Sequence, residues 1–205
     1  MKKRYVVGLA TGLLVFGLAG GARATLTTVG TATYSGTAYN LIYDNDLQIT
    51  WLDYTKGYDN WQNQKDWANT LGSSLTTVSL LPGYTIAPDW TTGWRLPSTV
   101  DGSYSWGYDG TTTAGCNITN SEMGHLYYTE LGNKGYYDTS GNGPQAGWGL
   151  TNQVPFTNLI ASWYWSGTEY ANNPNNAWNF NTNNGNQNVN NKDNNNYALA
   201  VRPGE

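Results

Sequence analysis

The sequence predicts one α+β domain on three observations: two amphipathic segments with helical spacing, several short segments with strand-like alternation, and glycine-rich stretches between them. The chain has 205 residues, of which 25 are glycine, 10 tryptophan and 16 tyrosine, and only 12% are charged. That aromatic content can form a packed core, and the length is that of a single domain. The composition therefore excludes a disordered chain and a coiled coil.

Residues 1–24 are typical of a secretory signal peptide. Three basic residues at positions 2–4 precede an apolar stretch at 6–18 and a small-residue exit at 22–24. Residues 25–205 then form the mature domain, with 6 basic and 14 acidic side chains and a formal net charge of −8. We expect a secreted, periplasmic or extracellular protein with no membrane span after cleavage. The negative charge argues against nucleic acid as a partner.

The first strands are predicted as a hairpin. Residues 39–43 and 47–52 are apolar and β-rich, and three turn residues separate them. Asp44, Asp46 and Asp53 could suggest calcium, but the glycine and closing glutamate of an EF-type loop do not follow. Turn chemistry explains these aspartates, so the sequence predicts no metal site and no cofactor.

The first helix is predicted over residues 61–71, with Asp59 or Asn60 as its cap and Gly72 as its end. Farther along the chain, residues 99–116 carry isolated aromatic side chains among Gly, Ser, Thr and Asp. This composition predicts a long irregular insertion.

The second helix is predicted from Thr119 to about Leu131, because Thr119 and Glu122 have the spacing of a capping box. His125, the only histidine, lies on the flank of the apolar stripe of this helix. No nucleophile motif with a strained turn accompanies it, so we expect a packed or solvated side chain.

The last third of the chain predicts antiparallel strands. Residues 177–182 and 186–190 alternate asparagine with other side chains, and Asn184-Gly185 between them is a strong hairpin signal. Residues 197–201 are apolar on both faces, as expected of a central strand. Two more strands are predicted at residues 156–160 and 162–168.

The alternation places the hairpin asparagines on one face, which we predict to point into water as a ligand-binding surface. Asparagine is a poor strand former, so its use at every second position indicates selection for something other than stability. Each carboxamide offers donors and an acceptor without net charge. The pattern predicts that these ligand-binding residues are Asn179, Asn181, Asn183, Asn186, Asn188 and Asn190, with Trp163, Trp165 and Tyr170 adding aromatic area.

Six short motifs follow one another along the mature chain: Leu41-Ile42-Tyr43-Asp44 with Trp51-Leu52, Trp94-Arg95-Leu96-Pro97, Ser121-Glu122-Met123-Gly124-His125-Leu126, Tyr164-Trp165-Ser166-Gly167-Thr168-Glu169-Tyr170, Ala177-Trp178-Asn179-Phe180, and Ala200-Val201-Arg202-Pro203. In this order they resemble the Lcl C-terminal-like domain family of secreted bacterial proteins. The resemblance implies a C-type-lectin-like fold, in which two helices flank antiparallel sheets and the last strands and their loops carry the ligand face. It does not imply a calcium-dependent lectin, because Glu169-Tyr170-Ala171 stands where such lectins carry a Glu-Pro-Asn-like loop.

The asparagine-rich hairpin also resembles the variable region of target proteins of diversity-generating retroelements, whose diversified face binds ligands on other cells or phage. By that resemblance, the candidate variable positions are Asn172, Asn173, Asn175, Asn176, Asn179, Asn181, Asn183, Asn186, Asn188, Asn190, Asn194 and Asn195. They complete the set of candidate ligand-binding residues.

Taken together, the residues predict a non-catalytic recognition or adhesion domain that binds a protein or a glycan. The alternatives are an enzyme and a structural matrix component that binds weakly many times. An enzyme of the formylglycine-generating type needs a pair of thiols, and Cys116 stands alone. A hydrolase could pair Glu122 or Glu130 with Asp138.

Overall fold

The computed structural model describes residues 26–85 and 89–204, so the expected leader at 1–24 lies outside the described residues. Within this part, ten strands form one mixed sheet accompanied by two short helical segments, an α+β architecture in which the sheet dominates. No helix among the described residues is long and apolar enough to cross a membrane.

The helical segments are α1 (Trp61–Ser74) and α2 (Glu122–Gly124), which continues as the π-helix His125–Glu130. The strands are β1 (Leu26–Tyr34), β2 (Thr37–Asp44), β3 (Ile49–Asp59), β4 (Leu75–Leu80), β5 (Trp106–Gly107), β6 (Ala114–Gly115), β7 (Trp163–Glu169), β8 (Asn176–Asn181), β9 (Asn186–Asn191) and β10 (Asn196–Pro203).

The sheet has the order β4-β1-β2-β3-β10-β7-β8-β9-β6-β5. Strand β10 lies in its middle, antiparallel to β3 and parallel to β7 through the pair Tyr197 and Tyr164. The prediction of a central strand at 197–201 is therefore confirmed. The predicted first hairpin is also confirmed, since β2 and β3 are antiparallel with Leu41 opposite Leu52.

Two apolar clusters pack against the sheet. The α1 cluster contains Trp61, Ala68, Leu71, Trp165, Ala198 and Ala200 among others. The π-helix cluster includes Met123, Leu126, Tyr127, Phe180, Leu199 and Val201. Because side chains alternate along β10, this one strand contributes to both clusters.

Helix α1 begins where the sequence predicts. The Asn60 side chain caps it by accepting a hydrogen bond from the Asn63 N–H at 2.9 Å. Its first residue attaches it to the sheet, because the Trp61 indole donates to the Ser166 carbonyl at 2.7 Å. The predicted end at Gly72 is wrong, since the helix continues to Ser74. Gly72 is required there by a close approach, because a Cβ on it would lie 2.4 Å from the Thr91 carbonyl oxygen.

The second helical segment is shorter and wider than predicted. It begins at Glu122, and Ser121 caps it by accepting from the Gly124 N–H at 3.0 Å. The capping box with Thr119 is wrong because the Glu122 carboxylate binds both terminal nitrogens of Arg95, each at 2.7 Å.

The predicted strand at 156–160 is wrong. These residues form an irregular segment whose Thr157 and Asn158 N–H groups donate to the Asp53 carboxylate at 2.9 and 3.0 Å. An aspartate thus replaces a strand partner, while Phe156 and Leu159 still reach the π-helix cluster. The predicted irregular insertion at 99–116 is confirmed, with only the two-residue strands β5 and β6 inside it.

The close approach at Gly72 gives a test of the packing of α1. Alanine normally stabilises a helix interior by about 1 kcal/mol relative to glycine. We expect Gly72→Ala instead to lower the free energy of unfolding by about 1–3 kcal/mol, because its methyl group overlaps the Thr91 backbone. The control Gly57→Ala, where a Cβ meets no atom within 4 Å, is expected to change it by less than about 0.5 kcal/mol. Urea denaturation measures both; a Gly72→Ala protein as stable as the wild type would contradict this packing.

Candidate functional site

The predicted asparagine hairpin forms with the predicted register. Strands β8 and β9 pair Asn179 with Asn188 and Asn181 with Asn186, while Trp178 faces Val189 in the alternate set. Asparagine side chains from both strands therefore share one face of the hairpin, as the period of two requires.

The prediction that this whole face points into water is wrong. Asn179 and Asn181 are only 3% and 7% exposed, and Trp165 is fully buried. The reason is the position of β8 inside the sheet, where β7 places Trp165 beside Asn179 and Trp163 beside Asn181. The Asn181 side chain stabilises the turn that follows it, because its Oδ1 accepts a hydrogen bond from the Asn183 N–H at 2.8 Å.

The other predicted residues divide between the two ends of the hairpin. The exposed Asn172, Asn173 and Asn175 lie in the connection from β7 to β8, and the exposed Asn194 and Asn195 in that from β9 to β10. These two connections are adjacent, since the Lys192 N–H donates to the Asn175 carbonyl at 2.9 Å. The exposed Asn183 lies at the opposite end, while Trp163, Tyr170, Asn176, Asn186, Asn188 and Asn190 are partly buried. The structure therefore does not bring the predicted residues together on a single surface.

The turn between β8 and β9 is fixed by a close contact with the π-helix. The Tyr128 hydroxyl donates to the Gly185 carbonyl at 2.5 Å and accepts from the Asn117 N–H at 2.9 Å. Gly185 has a φ of +75°, and a Cβ there would lie 2.2 Å from the Tyr128 oxygen. Only glycine fits this position. Burial also raises the pKa of Tyr128, so its hydroxyl stays protonated and available as a donor.

A cleft of about 380 Å³ lies beside this turn. Its volume is at the lower end of the range of about 300–1,000 Å³ typical of small-molecule sites. The turn contributes carboxamides, and two other parts of the chain, the 99–116 insertion and the segment at 136–137, contribute aromatic rings and a thiol. The lining residues are Trp106, Cys116, Tyr136, Tyr137, Asn184 and Asn186.

The aromatic rings of the cleft belong to a continuous array. Tyr108 lies between Trp106 and Tyr137, with ring centroids at 6.4 and 5.0 Å, and Tyr136 contacts Tyr137 at 4.8 Å and Trp148 at 4.9 Å. Adjacent rings are steeply inclined to one another, so edge-to-face contacts hold the array. Trp106 remains 39% exposed, which leaves part of its ring available to a ligand.

The six lining side chains are uncharged. Burial raises the pKa of the Cys116 thiol, so this group is protonated at neutral pH. Asn184 holds the turn by accepting from the Asn186 N–H at 3.2 Å, and the Tyr136 N–H donates to the Asn184 carbonyl at 2.9 Å. The buried Asn186 Oδ1 accepts no hydrogen bond within the described part of the chain.

Sequence reasoning identified Asn186 and missed the other five lining residues. Asn184 was assigned to the turn alone, and Cys116 to an irregular loop. The signal that could have revealed the rings is isolated aromatic residues in glycine-rich loops, at Trp106 in 99–116 and at Tyr136 and Tyr137 near Gly141 and Gly143.

The three carboxylates considered for hydrolysis have separate partners. Glu122 binds Arg95, and Glu130 lies 3.2 Å from His125 Nε2. Asp138 accepts from the Asn142 and Ser140 N–H groups of its own turn, and the hydrogen bond from Asn142 contributes most to lowering its pKa.

Comparison of the chain with protein-family models, with curated proteins and with solved structures gives no match in any of the three. The geometry of the cleft therefore carries the functional proposal. It joins aromatic surface, carboxamides and a rigid turn in one concave, uncharged site.

The contact between Tyr128 and the turn can be tested by removing one oxygen atom. We expect Tyr128→Phe to lower the free energy of unfolding by about 1–3 kcal/mol, because the Gly185 carbonyl and the Asn117 N–H lose their partner. The control Tyr108→Phe also removes one hydroxyl but keeps the ring that packs on Tyr137 in the cleft. It should change the free energy of unfolding by less than about 0.5 kcal/mol. Equal stability of the two variants in urea denaturation would contradict the anchoring of the turn.

Proposed function

We propose that the protein is a secreted, non-catalytic recognition domain that binds a neutral glycan in the cleft beside the β8–β9 turn. The single observation that carries this proposal is the lining of the cleft, in which three aromatic rings converge with two carboxamides and an uncharged thiol. Of the asparagines predicted to bind ligand, only Asn186 lines this concave site.

The chemistry of a sugar matches this lining. One face of a pyranose ring carries C–H groups that pack on an aromatic ring, and its edge carries hydroxyl groups that both donate and accept hydrogen bonds. Trp106, Tyr136 and Tyr137 supply the aromatic surface. Asn184 and Asn186 supply uncharged amide groups, which can exchange hydrogen bonds with hydroxyls at modest desolvation cost.

Charge favours a neutral ligand. None of the lining side chains in the described part of the chain is cationic, and the mature chain has a formal net charge of −8. Sulfated or phosphorylated ligands would lose hydration without gaining a counter-charge. The proposal therefore excludes nucleic acid and acidic polysaccharides as the main ligand.

The protonation of the candidate nucleophile and the contacts of the candidate acids agree with binding without catalysis. The Cys116 thiol is buried and its pKa is raised, which disfavours the reactive thiolate. Glu122, Glu130 and Asp138 are engaged by other groups. These observations support recognition over the enzyme alternatives.

We also propose a C-type-lectin-like fold of the Lcl C-terminal-like type. The two helical segments contact separate apolar clusters of the sheet, and the proposed site borders the turn between two of the terminal strands, β8 and β9. The exposed asparagines at Asn172, Asn173, Asn175, Asn194 and Asn195 lie in connections rather than strands. Diversification of these positions, as in retroelement target proteins, would alter the surface at the other end of the hairpin from the cleft.

The test is binding of the purified protein to an immobilised panel of neutral and sulfated oligosaccharides. We expect saturable binding to neutral members, and Trp106→Ala should weaken it at least 30-fold, because a central aromatic contact contributes about 2 kcal/mol or more. The control Tyr58→Ala removes a ring that is 56% exposed and does not line the cleft, so it should bind like the wild type.

Three results would contradict the proposal. They are preference for sulfated sugars, equal binding by Trp106→Ala and wild type, and absence of binding to every neutral sugar combined with binding to a deglycosylated protein surface. Circular dichroism of both variants checks that the Trp106 substitution leaves the fold intact.

A further inference from the structure

A second site is formed by acidic residues of the β2–β3 turn and two residues of the π-helix. One ligand atom from each of Asp44, His125 and Glu130 can be chosen so that all three lie within 4.8 Å of one another. His125 Nε2 is 3.2 Å from Glu130 Oε1 and 3.7 Å from Asp46 Oδ2. The residues of the two segments are 79 or more positions apart in the sequence, and the neutral-glycan cleft uses none of them.

The π-helix is what brings His125 and Glu130 together. In an α-helix, residues five positions apart point about 140° away from each other, because each residue turns the chain by about 100°. The wider turn here is visible in the hydrogen bond from the Leu131 N–H to the Leu126 carbonyl at 2.9 Å, which spans five residues. Single π-helical turns are rare and are frequent at functional sites.

The cluster is buried and its charges are unbalanced. Asp44 is fully buried, and the Glu130 side chain has no exposed surface. Glu130 Oε2 has no hydrogen-bond partner within the described part of the chain. Two buried carboxylates beside one imidazole are costly, because a buried charge needs a counter-charge or a hydrogen bond.

Asp44 is oriented by neighbours that leave it able to bind a cation. Its Oδ1 accepts from the Leu47 N–H at 3.0 Å, and its Oδ2 accepts from the Trp51 indole at 3.4 Å. Such outer contacts are typical of carboxylates that coordinate metals. The Asp46 side chain is 46% exposed and lies next to His125, so the cluster has an entrance from solvent.

We propose that Asp44, His125 and Glu130 bind one divalent transition-metal ion, of which Zn²⁺ is the best match. Two carboxylates balance the charge of the ion, and the unpartnered oxygen of Glu130 gains a ligand bond. The imidazole nitrogen favours zinc over Ca²⁺, which prefers oxygen ligands alone. Ligand atoms of a tetrahedral zinc site are about 3.4 Å apart, so atoms that lie within 4.8 Å of one another here approach by at most about 1.4 Å on binding. Asp46 or water completes the coordination, and the ion links the β2–β3 turn to the π-helix.

The only histidine of the chain makes a direct test possible. In protein freed of any affinity tag, the imidazole C–H signals in NMR report on His125 alone. We expect Zn²⁺ to move these signals with saturation at one equivalent and to raise the melting temperature by about 5 °C at 100-fold excess over the Kd. Ca²⁺ is expected to bind at least about 10-fold more weakly.

Substitutions test which side chains coordinate the Zn²⁺ ion. Glu130→Gln keeps the shape of the side chain and removes a buried charge, so the metal-free protein should remain folded while Zn²⁺ affinity falls at least about 10-fold. His125→Asn should show a similar loss. The matched control Glu169→Gln neutralises a carboxylate that pairs with Lys192 on another part of the sheet, and it should bind Zn²⁺ like the wild type.

The proposal is overturned if wild-type protein shows no one-equivalent Zn²⁺ binding at millimolar concentration, if Ca²⁺ binds as tightly, or if Glu130→Gln retains wild-type affinity. Should His125→Asn fail to fold, Glu130→Gln and the NMR titration of the wild type still decide the outcome. Glycan binding is measured separately on metal-free protein, so the two proposals can fail independently.

Discussion

The structure depends on the packing of β10 between β3 and β7. This strand joins the strands of the N-terminal half to those of the C-terminal half, and its pairing with β7 is parallel. Ala198 and Ala200 enter the α1 cluster, whereas Leu199 and Val201 enter the π-helix cluster. Small residues allow α1 to approach the sheet, and larger ones fill the opposite side. Residues 198–201 are buried on both faces and are all apolar, and this continuous apolar run is what predicts a central strand from the sequence.

Both proposed sites depend on the π-helix, which bridges distant parts of the chain. Tyr128 fixes the turn of the β8–β9 hairpin and so positions the carboxamides of the cleft. His125 and Glu130, on the same segment, meet Asp44 from the first hairpin. A regular α-helix would not place the side chains of His125, Tyr128 and Glu130 with the same relative spacing. A local departure from ideal geometry is retained here where side chains from separate elements converge.

Local patterns predicted the elements better than the sites. The cap at Asn60, the first hairpin and the asparagine register follow from chemistry within a few residues, and all are present. Burial of Asn179 could not be predicted, because alternation shows which residues share a face but not what covers that face. Trp106, Tyr136 and Asn184 meet in the cleft because of the path of the loops that carry them, and no periodicity in the sequence predicts that path. The metal cluster likewise needs a helical turn of unusual width, which has no simple sequence signature.

The place of β10 has a consequence for the order of events during synthesis. Residues 196–203 leave the ribosome after the nine other strands that the structure describes, yet they occupy the middle of the sheet. Until they emerge, the two halves of the sheet have no common neighbour, and the nascent polypeptide cannot close its core. Contacts between β10 and β3 span well over one hundred positions, which slows their formation.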